Sequence, residues 1–175
     1  IDLYRNKHTI ITGFNGSGKS TLLGLVSGIF YPTSGTVEVY SNKFGYVSAS
    51  PMIINGTLRE NLTYGSDTDI EDSDLLEYLV EFQIFKDSKE ITLDKKINNK
   101  SLSMGQMQKV SFIRSLVSGV DILILDESTS NLDRETKDLI YEILSGKELT
   151  IFNSTHSPEE FKDFDFHIEI TEVNG

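Results

Sequence analysis

No cysteine occurs in the 175 residues, which excludes disulfides and thiolate metal sites. No apolar run approaches the ~18 residues a membrane helix needs. The most apolar stretch, Ile122-Leu123-Ile124-Leu125, is bounded by Asp121 and Asp126 and reads as a buried strand. Basic residues are few: 16 Lys and Arg stand against 27 Asp and Glu, a net charge of −11. That balance argues against broad electrostatic binding to DNA, RNA or anionic lipid, yet leaves room for a local anion site. Internal repeats and low-complexity segments are also lacking. Hydrophobic residues at 38% and charged residues at 25% are the makeup of a folded chain. At 19.7 kDa it is one domain's worth, able to bury roughly 70% of its unfolded surface without a covalent staple. The first residue is Ile1, and residues 171–175 stop without a helix end or a polar tail. Both ends read as cut, so the expectation is a piece of a longer polypeptide.

Apolar, β-branched runs predict strands over 8–12, 36–40, 45–48, 121–125, 149–153 and 167–170. Helical periodicity predicts helices over 19–27, 57–62, 74–82, 105–117, 134–144 and 158–161. Strands alternating with helices predict an α/β fold with a mainly parallel sheet flanked by helices. Residues from about 52 to 100 break the alternation and read as an inserted helical lobe. The acidic cluster from Asp67 to Asp74 reads as a solvated loop and helix start.

Gly13-Phe14-Asn15-Gly16-Ser17-Gly18-Lys19-Ser20-Thr21 fits G-x-x-x-x-G-K-[ST] between an apolar strand and a helical run. Glycines let the backbone turn several N–H groups toward one anion, and the helix N-terminus adds partial positive charge. Lys19 supplies a full charge for the β- and γ-phosphates, and the Ser20 hydroxyl is placed for Mg²⁺. Further on, Asp126 and Glu127 end the apolar strand, at the edge where open α/β sheets bind ligands. Asp126 is a candidate Mg²⁺ ligand, directly or through water, and Glu127 a candidate general base for an attacking water. Two acids merely capping a surface strand are the plainer alternative. The phosphate loop argues against it, because one reaction needs both parts.

At this point the chain resembles the ATP-binding cassette (ABC) ATPases. Leu102-Ser103-Met104-Gly105-Gln106 looks like their LSGGQ signature, Ser130-Asn131-Leu132-Asp133 resembles the D-loop, and His156 resembles the switch histidine. Five motifs stand in the family's order and span nearly the whole chain. The run from Phe44 to Leu62, with Gly56-Thr57-Leu58-Arg59-Glu60-Asn61, is similar to the Q-loop region of exporter-type cassettes. The resemblance implies a P-loop NTPase fold in a single domain, 1–175, with a core of 1–51 and 118–175 and a helical signature subdomain of about 52–117. It implies ATP with Mg²⁺ and a head-to-tail pairing of two cassettes. ATP would lie between the phosphate loop of one, residues Asn15 to Thr21, and Ser103, Gly105 and Gln106 of the other. His156 would touch the γ-phosphate and Asp133 would link the two sites. A transmembrane domain on the same polypeptide, a place on the cytoplasmic face of a membrane and ATP-powered export are implied as well, with no nucleic-acid partner.

The sequence departs from this family at four places. Ala49 stands where the Q-loop glutamine falls, and Ser48 and Ser50 are the neighbouring hydroxyls. Met104 replaces the first signature glycine. The link 94–100 is basic and lacks the usual Gly-Glu pair. The family's adenine-stacking aromatic precedes the phosphate loop by roughly two dozen positions, so Tyr4 is too near it to fill that role. Ala49 sustains a second reading, a degenerate cassette that uses ATP mainly as a dimerisation switch with weak hydrolysis. A cassette acting on nucleic acid conflicts with the net charge. A P-loop kinase leaves residues 102–106 and His156 unexplained.

Overall fold

Thr9, Ile10 and Ile11 are three consecutive residues buried on alternate faces, so the first strand is covered on both sides. In the computed structural model, which describes residues 4–67, 69–85, 92–161 and 163–171, this strand is β1 (His8–Gly13). There follow α1 (Lys19–Val26), β2 (Phe44–Ser48), β3 (Gly56–Thr57), α2 (Leu58–Leu62), α3 (Asp72–Glu81) and β4 (Lys96–Ile97). Then come α4 (Met104–Val117), β5 (Ile122–Asp126), α5 (Arg134–Ser145), β6 (Thr150–Ser154), a 3₁₀ turn (Pro158–Glu160) and β7 (Phe166–Ile170). Residue Ile1 and residues 172–175, on which the expectation of cut ends rests, lie outside the described residues.

Five strands form one parallel sheet in the order β2-β5-β6-β1-β7. The mainly parallel α/β fold expected from the alternation is therefore present. β5 shows why it stands in the interior of the sheet. Ile122 and Ile124 pack with Ile11, Leu23, Val26 and Phe152 on the α1 side. Leu123 and Leu125 join the other core, with Val47, Leu58, Leu62, Leu75, Leu79, Phe112, Ile113 and Ile140. A strand apolar at every position can satisfy both faces only in such a place. Parallel registry then puts Ser48, Asp126 and Ser154 side by side at the C-terminal ends of β2, β5 and β6.

Between β2 and β5 the chain forms α2, α3, α4 and the short β3–β4 ladder. A capping box starts α2: Thr57 Oγ1 accepts from the Glu60 amide at 3.1 Å, and the Thr57 amide donates to Glu60 Oε2 at 2.6 Å. Fully buried Asn61 pins the preceding loop. Its Oδ1 accepts from the Ile54 amide at 2.9 Å, and its Nδ2 donates to the carbonyls of Ile54 and Thr57. Arg114 of α4 completes the clasp, donating to the Asn61 carbonyl at 2.7 Å and the Met52 carbonyl at 2.9 Å. Among the described residues no helix is long and apolar enough to cross a membrane.

Two local expectations are corrected. Residues 36–40 are not a strand: Val37 and Val39 are exposed, and among the described residues no strand pairs with this segment. Alternation alone makes no strand without a ladder partner. Residues 158–161 form only a 3₁₀ turn, entered through Pro158. The third helix begins at Asp72, two residues earlier than its apolar period suggests, because Asp72 and Asp74 suit a first helical turn.

Replacing Asn61 with Ala strands the Ile54 amide and carbonyl inside the fold. We expect a loss of about 2–3 kcal/mol in urea unfolding, and an unchanged midpoint would reject Asn61 as the clasp.

Candidate functional site

β1 ends at Gly13, where an added methyl group would strike Ser17 and come within 2.8 Å of the Ile170 carbonyl. Gly16 and Gly18 hold φ of 86° and 98°, values that only glycine adopts without strain. These turns wrap the loop back on itself, with the Ser17 amide donating to the Phe14 carbonyl at 3.1 Å. Gly18 caps α1 without any side-chain acceptor, and the first turn of α1 carries no acid. The N-terminal amides of α1 therefore face an opening that suits an anion. Ser17 Oγ is buried and, among the described residues, has no hydrogen-bond partner.

Lys19 is only 5% exposed. Its ammonium donates to the carbonyls of Gly13 at 3.0 Å and Phe14 at 3.2 Å, and lies 3.8 Å from Glu127 Oε1. The same Glu127 oxygen is 2.8 Å from His156 Nε2. Glu127 adopts φ of 51°, and its amide donates to the carbonyl and hydroxyl of Ser154 at 3.1 and 3.2 Å. One residue earlier, Asp126 Oδ1 accepts from Ser154 Oγ at 2.7 Å and Ser20 Oγ at 3.2 Å. Its Oδ2 accepts from Tyr46 Oη at 2.8 Å. Burial first, then the Asp126 carboxylate, push the Tyr46 phenol well above its ordinary pKa, so it is a hydrogen-bond donor at neutral pH.

The structure thus brings together Lys19, Ser20, Asp126, Glu127 and His156, with Asn15, Gly16, Ser17, Gly18 and Thr21 in the same loop or first helical turn. Ser103, Gly105, Gln106 and Asp133 sit in a second group. Ser103 and Gln106 cap α4 reciprocally, at 3.2 and 2.9 Å, and Gln106 Nε2 donates to the Ile84 carbonyl at 2.9 Å. Asp133 caps α5 by accepting from the Thr136 amide at 2.8 Å, which holds its carboxyl below the usual range. A methyl added at Gly105 would meet only Thr136 Oγ1, at 4.0 Å. Among the described residues no hydrogen bond or ion pair joins the two groups.

Two contacts to Asp126 went unread in the sequence. Ser154, buried at the end of β6, gives no local signal in the sequence. Tyr46 gives none either, because only the β2–β5 registry brings it near Asp126. Ser48 Oγ donates to the Ser50 carbonyl at 3.0 Å, within its own loop. Tyr4 stacks on Phe166 with centroids 5.0 Å apart.

The donor set near Asp126 also bears on a metal. One hydroxyl and one carboxylate suit Mg²⁺, which keeps waters and phosphate oxygens as its remaining ligands. Among the described residues no group of three or more His, Cys, Asp or Glu side chains is placed to hold a metal by protein alone. The open α1 amides, the orphaned Ser17 hydroxyl and the Ser20–Asp126 pair fit a polyphosphate with its cation.

A protein-family model described as "ABC transporter" matches residues 1–130. The chain is similar to the lactococcin-A transport/processing ATP-binding protein LcnC of Lactococcus lactis subsp. lactis. The two are 31% identical over 172 residues, covering 89% of this chain and 24% of that protein. It is also similar to the ATP-dependent permease MDL1 of Candida albicans, 30% identical over 189 residues, 94% of this chain and 27% of that one. In fold it matches a bacterial Atm1-family ABC exporter solved with ATP bound, with a TM-score of 0.87 at 22% identity, over 98% of this chain and 33% of that chain. The chain spans about a quarter of the length of these two curated relatives.

Ser103→Ala removes one half of a reciprocal cap. We expect a loss of about 1 kcal/mol in chemical unfolding; equal stability of the two forms would show that the cap does not hold α4.

Proposed function

The chain belongs to the ABC transporter family, and from that premise we propose that it is the ATP-binding and ATP-hydrolysing motor domain of an exporter. ATP-binding domains of that family are generally ATPases. The observation that carries the reading is the convergence of Lys19, Ser20, Asp126, Glu127 and His156 on the mouth of one glycine-turned loop. Each group has a distinct task. The amides of residues 16–21 and the Lys19 ammonium receive the phosphates. Ser20 and Asp126 hold Mg²⁺, with Asp126 acting directly or through water; when bound, the ion neutralises charge on the phosphate oxygens. Glu127 takes a proton from the attacking water, and His156, 2.8 Å from its carboxylate, fixes the orientation of that base and faces the γ-phosphate.

The second group of residues supports pairing. Ser103, Gly105 and Gln106 lie at the N-terminus of α4, and among the described residues no hydrogen bond or ion pair joins them to Lys19, as a donor of half a site to another copy requires. The working unit we propose is two cassettes head to tail, with ATP between the loop of one and the α4 start of the other, and Asp133 communicating between sites. The core is then 1–51 and 118–175, and about 52–117 is the helical subdomain. The proposal includes a membrane domain on the same polypeptide and a place on the cytoplasmic face of a membrane; a similar protein of Lactococcus lactis named as a multidrug resistance ABC transporter ATP-binding and permease protein supports it. The net charge of −11 disfavours nucleic acid. Ala49 favours the alternative, an ATP-dependent dimerisation switch with weak turnover. Glu127 paired with His156 favours hydrolysis.

Lys19→Ala should abolish ATP binding, and retained affinity would reject the loop as the phosphate site. Glu127→Gln should keep binding while turnover falls by about a hundredfold or more; full turnover would remove Glu127 from the chemistry. Light scattering on that variant should report a monomer without nucleotide and a dimer with Mg²⁺-ATP. A monomer with ATP bound would reject pairing by this chain alone.

A further inference from the structure

Asp126 is gripped by three hydroxyls from three different elements, and only one of them, Ser20, belongs to the phosphate loop. Ser154 approaches from β6. It is fully buried, its Oγ donates to Asp126 Oδ1 at 2.7 Å, and Ser154 Oγ in turn accepts from the Glu127 amide at 3.2 Å. A single side chain therefore sets the relative position of both acids. Tyr46 approaches from β2 and donates to Oδ2 at 2.8 Å.

The Tyr46 contact matters because the other hydroxyl of β2 at this edge is engaged elsewhere. The hydroxyl of Ser48 is engaged with the Ser50 carbonyl at 3.0 Å. Gln108 Nε2 holds the Ser48 carbonyl at 2.9 Å, which fixes the start of this loop against α4. Tyr46 is then the side chain of β2 that hydrogen-bonds to the metal-side carboxylate.

Resting on the nucleotide reading above, we propose that Tyr46 and Ser154 are positioning residues for the metal site. Ser154 fixes Oδ1 of Asp126 together with the Glu127 amide. Tyr46 fixes Oδ2 from within β2. With both oxygens held, Asp126 keeps one rotamer, and its charge stays aimed at the cation site beside Ser20. Loss of the Tyr46 hydroxyl frees Oδ2 to turn and weakens the hold on Mg²⁺. The phosphate contacts made by Lys19 and the loop amides remain.

The test uses the 175-residue chain and trinitrophenyl-ATP, with fluorescence titrations in excess Mg²⁺ and in EDTA. For Tyr46→Phe the affinity in EDTA should stay within about twofold, while the gain on adding Mg²⁺ falls about tenfold, the loss expected for one hydrogen bond to a charged group. A merely structural lesion would lower the affinity in both conditions alike. Ser154→Ala should lower the same gain; should it fail to fold, Tyr46→Phe, altered at a surface ring, carries the test. An undiminished Mg²⁺ gain in Tyr46→Phe, or an equal fall in both conditions, overturns the inference. These outcomes leave the nucleotide reading intact so long as the unsubstituted chain binds and Lys19→Ala does not. Absence of binding by the unsubstituted chain sinks that reading and this inference together.

Discussion

The half-buried carboxylate of Asp126 is the group on which the rest of the site depends. A charged oxygen drawn partly out of water needs its lone pairs engaged by donors. Parallel registry solves this by placing Ser154 beside Asp126 on one flank and bringing Tyr46 of β2 within reach on the other. Hydroxyls then reach Asp126 from β6 and β2, and Ser20 completes the set from α1. A one-residue slip of β6 would set Asn153 opposite Asp126 and turn the serine to the other face. The cores on the two faces of β5 oppose that slip, since it would exchange Ile151 and Phe152 between them. Packing far from the loop thus holds the geometry of the two acids.

The cationic side of the site is organised by a different rule. Lys19 is almost wholly buried, so its charge requires nearby oxygens, and the loop carbonyls of Gly13 and Phe14 supply them. Glu127 adds a full negative charge at 3.8 Å and shares the same oxygen with His156. These groups satisfy one another within the chain. On the proposed reading, an arriving polyphosphate offers Lys19 and His156 a denser anion than one carboxylate, and Glu127 is then available to the water.

The legible parts of this protein are those whose signal is local. A phosphate loop shows itself because left-handed turns demand glycine at positions 16 and 18, and β5 shows itself because a strand buried on both faces is apolar throughout. The fold class followed from such runs. Residues 36–40 misled for the same reason, since their alternation is a local pattern and a strand needs a neighbour. The two-residue pair β3–β4 was too short to see. Tyr46 and Ser154 reach Asp126 only through registry across three strands, which no window of sequence contains. The cap formed by Ser103 and Gln106 sits between these cases: its spacing is local, but the Ile84 carbonyl that anchors Gln106 is not.

Glu127 shows how two consecutive acids come to serve different partners. Two successive strand residues point to opposite faces, so an extended Glu127 would turn away from the side on which Asp126 meets Ser20. At φ of 51° the backbone leaves the strand direction at that residue. The carboxylate swings toward Lys19 and His156, and Asp126 keeps its strand geometry. A side chain in this conformation costs about 1–3 kcal/mol. Both hydrogen bonds of the Glu127 amide go to Ser154, the residue that also holds Asp126, so the strain is borne where the two acids are joined. Glycine would remove the strain and the carboxylate together. A strained glutamate at this turn is explained by what its carboxylate reaches, not by what the turn requires.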